Sequence, residues 1–165
     1  MQISRLAAAC GVIVSVMATT TAFAAEDGKA YPGSACQRQF DNVAAPVART
    51  QALILSTHDS PVKVFCPVAK DVESGRIKRA EVMVDDNHST ANISCELFSF
   101  RRDGSVQQVT PRATSGTSAT PVALTFGAHT ANPKGSYGLT CELPPGSGAG
   151  ALGPSSIVGY SVVEE

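Results

Sequence analysis

The sequence predicts an all-β fold, a two-sheet antiparallel β-sandwich of about eight strands with two disulfides. Three observations carry that expectation. Apolar residues recur with period two in short runs. Gly, Pro, Asn, Asp and Ser gather between the runs and not inside them. Four cysteines remain once an N-terminal export segment is set aside, and an even count in an exported chain reads as two bridges.

The export segment comes first in the chain. Met1 to Arg5 carries a single positive charge, Leu6 to Ala18 is an almost uncharged apolar run, and Thr19 to Ala24 is polar and closes on Ala22-Phe23-Ala24. A charged start, an apolar stretch too short to span a bilayer and small residues at the cleavage positions form a secretory signal peptide over residues 1–24. Cys10 suggests a lipoprotein alternative, but it lies early in the apolar run, and Ala7 stands where a lipidation motif prefers a larger aliphatic side chain. Removing 24 of 165 residues leaves 141, the size of one domain. Residues 25–35 read as a flexible leader and 36–165 as the β-sandwich domain. Without Arg5 the mature chain has 12 basic and 14 acidic residues. That balance disfavours nucleic acid as a partner, and no later apolar run is long enough to span a membrane.

The strands follow in order. Gln51 to Thr57 contains Ala-Leu-Ile-Leu. In Val62 to Val68, Val62, Val64, Cys66 and Val68 share a face, with Lys63 and Pro67 on the other. In Ile77 to Asp85, Ala80, Val82 and Val84 face one way, although Lys78 shares their parity. Ala91 to Phe100 sets Ile93, Cys95 and Leu97 against Glu96. Arg101-Arg102-Asp103-Gly104 is a hairpin turn, with Gly104 supplying positive φ, and Ser105 to Thr110 is the return strand. Val122, Leu124 and Phe126 are in phase in Pro121 to Phe126. Tyr137, Leu139, Cys141 and Leu143 are in phase in Ser136 to Leu143, and Val158, Tyr160 and Val162 in Ser156 to Val163. Pro144 to Pro154 is a long Gly/Pro loop.

Cys66, Cys95 and Cys141 share the parity of the aliphatic residues around them and should face the core. Facing sheets lie about 10 Å apart and a bridge needs Cα atoms about 6 Å apart, so a disulfide would pin the two layers locally. Four cysteines permit three pairings. Cys95 and Cys141 sit in similar contexts, Ile93-Ser-Cys-Glu-Leu97 and Leu139-Thr-Cys-Glu-Leu143, which favours Cys95–Cys141 and leaves Cys36–Cys66.

Four stretches, Val64-Phe-Cys-Pro-Val68, Ile93-Ser-Cys-Glu-Leu-Phe-Ser99, Gly135-Ser-Tyr-Gly-Leu-Thr-Cys-Glu-Leu-Pro144 and Ile157-Val-Gly-Tyr-Ser-Val-Val-Glu164, resemble a set of short exported bacterial proteins. Those proteins share a C-P after an apolar strand, then C-x-L-x-S, L-x-C-x-L-P and Y-x-V-x-E. The resemblance spans most of residues 36–164. It implies the disulfides and the sandwich, and brings no activity with it.

Chemistry-bearing motifs are sparse. His58, His88 and His129 each lie in an expected loop and read as solvated residues. No G-x-S-x-G or H-E-x-x-H occurs, and no C-x-x-C or Cys/His spacing of a zinc site, so no catalytic residue, metal ligand or cofactor is expected. Asp85-Asp86-Asn87-His88 is the densest run of potential calcium ligands, but it lacks EF-hand spacing and suits an ordinary turn. Arg101 and Arg102 at a turn, with Arg76, Lys78 and Arg79 elsewhere, could form a small anion site, with a solvated strand end as the plainer reading. Asn87-His-Ser89 and Asn92-Ile-Ser94 match the glycosylation sequon in a chain whose leader looks bacterial. Carbohydrate binding on exposed aromatics is weakened by the absence of Trp, and Tyr137 and Tyr160, unlike Tyr31, belong to strands. The function expected is therefore a non-enzymatic exported interaction module, periplasmic or extracellular, with an unknown protein or cell-envelope partner. The alternatives are a small-ligand carrier, for which Ala151-Leu152 offers a hint, and an enzyme or protease inhibitor presenting the Pro144–Pro154 loop.

Overall fold

The computed structural model describes residues 27–39, 47–71, 75–130, 133–146 and 153–165. The expected signal peptide, and most of the Pro144–Pro154 loop with Ala151-Leu152, lie outside the described residues. The described strands are β1 (Asp27–Pro32), β2 (Gln37–Arg38), β3 (Val47–Arg49), β4 (Ile54–Ser56), β5 (Val62–Val68), β6 (Ile77–Asp85), β7 (Ser94–Phe100), β8 (Val106–Ala113), β9 (Val122–Phe126), β10 (Ser136–Leu143) and β11 (Ser156–Glu164). They form two antiparallel sheets. One runs β3-β4-β11-β6-β9, with β1 also on β11, and the other runs β2-β5-β10-β7-β8. Among the described residues no helix is long and apolar enough to cross a membrane.

Burial follows the period-two pattern. In β5, Val62, Val64, Cys66 and Val68 are buried, and Lys63, Phe65 and Pro67 are exposed. The facing layer is supplied by Ala80, Val82 and Val84 of β6 and by Leu124 and Phe126 of β9. Each large aliphatic or aromatic side chain buried here contributes roughly 1.5–3 kcal/mol, the main favourable term in the fold. Two strands shift phase at bulges. The pairing of β11 with β6 jumps from Val163↔Arg79 to Glu164↔Ile77, which leaves Lys78 as the extra residue. That is why Lys78 is exposed although it shares the parity of Ala80. A second jump between Ile157 and Gly159 leaves Val158 half-buried while Ile157 is fully buried, so Val158 is not in phase with Tyr160 and Val162.

The leader expectation is corrected. Asp27–Pro32 pairs antiparallel with β11 along its whole length, from Asp27↔Glu164 to Pro32↔Gly159. Tyr31 stacks on Tyr160 with ring centroids 4.8 Å apart. Lys29 reaches the buried carboxylate of Glu164 at 2.5 Å and Asp71 at 3.1 Å. Gly33 follows in a 3₁₀ turn (Gly33–Ala35) and packs so closely that a Cβ would lie 2.0 Å from the Ile157 carbonyl oxygen.

The disulfides are Cys36–Cys66 and Cys95–Cys141. They do not join the two layers, contrary to expectation. Cys95 and Cys141 are direct partners on neighbouring strands β7 and β10. Cys36 stands one residue before Gln37, which pairs with Phe65, so it opposes Cys66. Both bridges therefore lie in the five-stranded sheet, with Cα separations of 4.0 Å close to those of directly opposed antiparallel residues. Tyrosine hydroxyls link the layers instead. Tyr160 of β11 donates to the Pro67 carbonyl at 2.7 Å, and Tyr137 of β10 donates to the Gly75 carbonyl at 3.0 Å.

Candidate functional site

The histidines and the Asp85–His88 run, weighed for chemistry on sequence grounds, are held in structural hydrogen bonds. His88 and His129 are buried, not solvated as expected. His88 Nδ1 accepts hydrogen bonds from the backbone of Thr90 and Ala91. His129 Nε2 lies 2.8 Å from Thr110 Oγ1, and burial holds the ring below its ordinary pKa. His58 Nδ1 accepts from the Ser60 backbone. None of these contacts joins an imidazole to a carboxylate, so the base–orienter pair of a catalytic triad does not form through them.

Asp86, the core of the Asp85–His88 run, is fully buried. Its two oxygens take hydrogen bonds from the backbone of His88 and Ile93 and from the hydroxyls of Ser155 and Thr114. Protein donors thus occupy the lone pairs that a cation would need. Among the described residues no three His, Cys, Asp or Glu side chains gather as a metal site would.

The outer face of the five-stranded sheet is different. Alternation that buries Val64, Cys66, Cys95 and Leu97 sends Phe65, Phe98 and Phe100 outward. Register then brings the three rings together. Gly138 of β10 pairs with Pro67 on one side and Phe98 on the other, and the next outward position, Ser136, pairs with Phe100. Gly138 has no side chain to hold the rings apart. A Cβ there would lie 2.9 Å from Phe65 Cε2 and 3.1 Å from Phe100 Cε2, so the rings converge over this residue. Phe98 and Phe100 stack with centroids 5.8 Å apart and planes 13° apart. Edge strand β8 extends the strip, with Val109 opposite Phe98 and Val106 opposite Phe100. Phe65 is 37 %, Val109 42 % and Val106 47 % exposed, which is unusual for side chains of this size that share one sheet face.

Polar groups border this strip. Thr140 lies between Phe65 and Glu96 in one cross-strand row, and Gln37 flanks Phe65. Lys63 and Glu142 form an exposed pair at 3.5 Å one row further along. Both disulfides lie directly beneath, on the inner side of the same strands. The result is a stiff apolar platform with hydrogen-bonding groups along one margin. Its shape and polarity suit it to an extended ligand.

Sequence reasoning passed over this platform, although its signal was present. Phe65 shares the outward parity of Lys63 and Pro67, and Phe98 and Phe100 share that of Glu96. Tyr137 and Tyr160, by contrast, are buried.

Elsewhere, the open edge between β8 and β9 holds a cleft of about 450 Å³, spanned where Arg112 Nε donates to the Thr125 carbonyl at 2.9 Å.

No protein-family model matches the chain, and no curated protein matches it. Solved structures do. A low-affinity xylan-binding module from Roseburia intestinalis aligns with a TM-score of 0.52 and 10 % identity, over 84 % of this chain and 96 % of that one. A xylan-binding domain from Paenibacillus barcinonensis aligns at 0.47 with 13 % identity, over 84 % and 95 %. A carbohydrate esterase from Cellvibrio japonicus aligns at 0.44 with 8 % identity, over 85 % of this chain and 34 % of that chain. At such identities the first likeness establishes a shared β-sandwich fold.

Proposed function

We propose that this protein is an exported, non-catalytic binding module that holds a polysaccharide on the Phe65/Phe98/Phe100 face. The observation that carries this is the convergence of Phe65 and Phe100 over Gly138, with Phe98 stacked on Phe100, on a disulfide-stiffened sheet. The C–H faces of pyranose rings are apolar and pack against aromatic side chains, while their equatorial hydroxyls need hydrogen-bonding groups at the margin, here Thr140, Glu96 and Gln37. The sandwich shared with a xylan-binding module agrees with such a role. Two disulfides agree with an oxidising compartment, and so with export behind the expected signal peptide.

The test is affinity electrophoresis of the mature protein through gels containing a panel of polysaccharides, with Phe65→Ala and Phe98→Ala compared with wild type. Each truncation should weaken binding at least about tenfold, on the order of 1.4 kcal/mol, without changing the melting temperature appreciably. Binding by both variants equal to wild type would reject the platform as the site.

A further inference from the structure

We infer that the polysaccharide is an anionic one, whose carboxylates are met by a cationic rim at the hairpin end of the platform; the inference rests on the glycan-binding role proposed above. Ser136 pairs with Phe100, so the residues next to them, Arg101–Arg102 on one side and Lys134–Gly135 on the other, leave the sheet at the same end. Val68 pairs with Tyr137, which brings Lys70 to that end as well. Lys70, Asp71, Lys134 and Gly135 line a surface depression of about 240 Å³ there.

The carboxylates nearby are already engaged. Asp71 is paired with Lys29 at 3.1 Å. Asp103 accepts hydrogen bonds from the Ser105 hydroxyl and backbone, which hold its carboxyl below the usual carboxylate range. Arg101 lies near that carboxylate and donates to the Ser105 hydroxyl. Arg102 and Lys134 are exposed, and among the described residues no carboxylate pairs with either. The hairpin that carries Arg102 is fixed by the Arg101–Ser105 and Gly104–Arg101 backbone bonds. Two cations with no carboxylate partner among the described residues, Arg102 on this hairpin and Lys134 beside Gly135, thus lie at the Phe100 end of the platform. The opposite end of the platform holds Glu96 and the neutral Lys63–Glu142 pair. This polarity orients a ligand whose sugar faces lie on the rings and whose charge lies toward the hairpin. Uronate carboxylates meet that description, with a guanidinium and an ammonium as their partners.

The experiment is affinity electrophoresis in a panel of uronate-bearing polysaccharides, each in native form and after chemical reduction of its carboxyl groups. The protein should bind at least one native polymer about tenfold more tightly than its reduced form, a few-fold for each exposed charge. The preference should vanish in 0.5 M NaCl and in the double variant Arg102→Gln/Lys134→Gln, which should keep the affinity for the reduced polymer. Equal binding to native and reduced polymers would overturn the inference and leave the platform standing. Binding to neither form of any polymer would overturn the inference, and if the general polysaccharide panel is not bound either, the glycan role falls with it.

Discussion

Asp86 and Gly138 show how a single position decides structure or surface. Asp86 gathers four donors from three segments that are distant in sequence, so its carboxylate fastens the β6–β7 connection to Thr114 and Ser155. Asp86→Asn keeps the shape but turns one acceptor oxygen into a donor facing donors. It should lower stability by about 3 kcal/mol, read as a fall in the denaturation midpoint. An unchanged midpoint would mean that the network carries little. The ligand-like composition of Asp85–His88 was legible in the sequence, but its partners were not, because Thr114 and Ser155 arrive through tertiary packing. The opposite holds for the platform. The outward parity of Phe65, Phe98 and Phe100 could be read directly from strand alternation. Their convergence needed the register that sets Gly138 between them. Gly138→Ala should cost little stability, since only ring edges must move, yet it should weaken polysaccharide binding by displacing two of the three rings, as affinity electrophoresis would show.

At the scale of elements, the longer strands were the most legible. Val62–Val68 and Ser136–Leu143 agree with their expected bounds because their apolar alternation is long and uninterrupted, and Ile77–Asp85 agrees because Ala80, Val82 and Val84 carry the pattern past the shift at Lys78. β1, β2 and β3 were not read as strands. They are short edge elements with few apolar residues, held by pairing and by particular contacts instead of by burial. β1 illustrates the cause. Its anchor is Lys29, whose burial works against the charge but is outweighed by hydrogen bonds to Glu164, Asp71 and Asp27, which raise its pKa. Lys29→Met would leave the buried Glu164 carboxylate without its cation. It should destabilise the protein by about 2–3 kcal/mol in urea unfolding at neutral pH. Unfolding indistinguishable from wild type would mean that β1 contributes no more than a loose leader would.

Across the whole molecule, buried tyrosines add polar links between the two sheets beside those of Arg112, His129 and Lys29, while both disulfides stiffen only the sheet that carries the platform. Burial, with a smaller contribution from Tyr31, pushes the Tyr160 hydroxyl up to about 12, and burial raises Tyr137 as well. In the unfolded chain these phenols ionise near pH 10. Above that pH the unfolded state has lost protons that the folded state retains, so stability must fall as pH rises from about 10 to about 12. Tyr160→Phe should be less stable at pH 7 because it loses the bond to Pro67, and its stability should decline less steeply across that window, as parallel denaturant titrations would show. An equal slope in both proteins would remove Tyr160 from the account. The two-layer architecture was legible from strand count and cysteine parity. The placement of both bridges within one sheet was not, because parity fixes the face of a cysteine and not the strand opposite it.

The most direct test of the central claim is a heteronuclear NMR titration of the mature protein with an oligosaccharide prepared from a polysaccharide that retards it in the gel. Amide shifts concentrated at Phe65–Pro67, Phe98–Phe100 and Ser136–Thr140, with the inner face and the β8–β9 cleft unmoved, are the predicted result. Shifts confined to the cleft around Arg112, or to the six-stranded sheet, would contradict it.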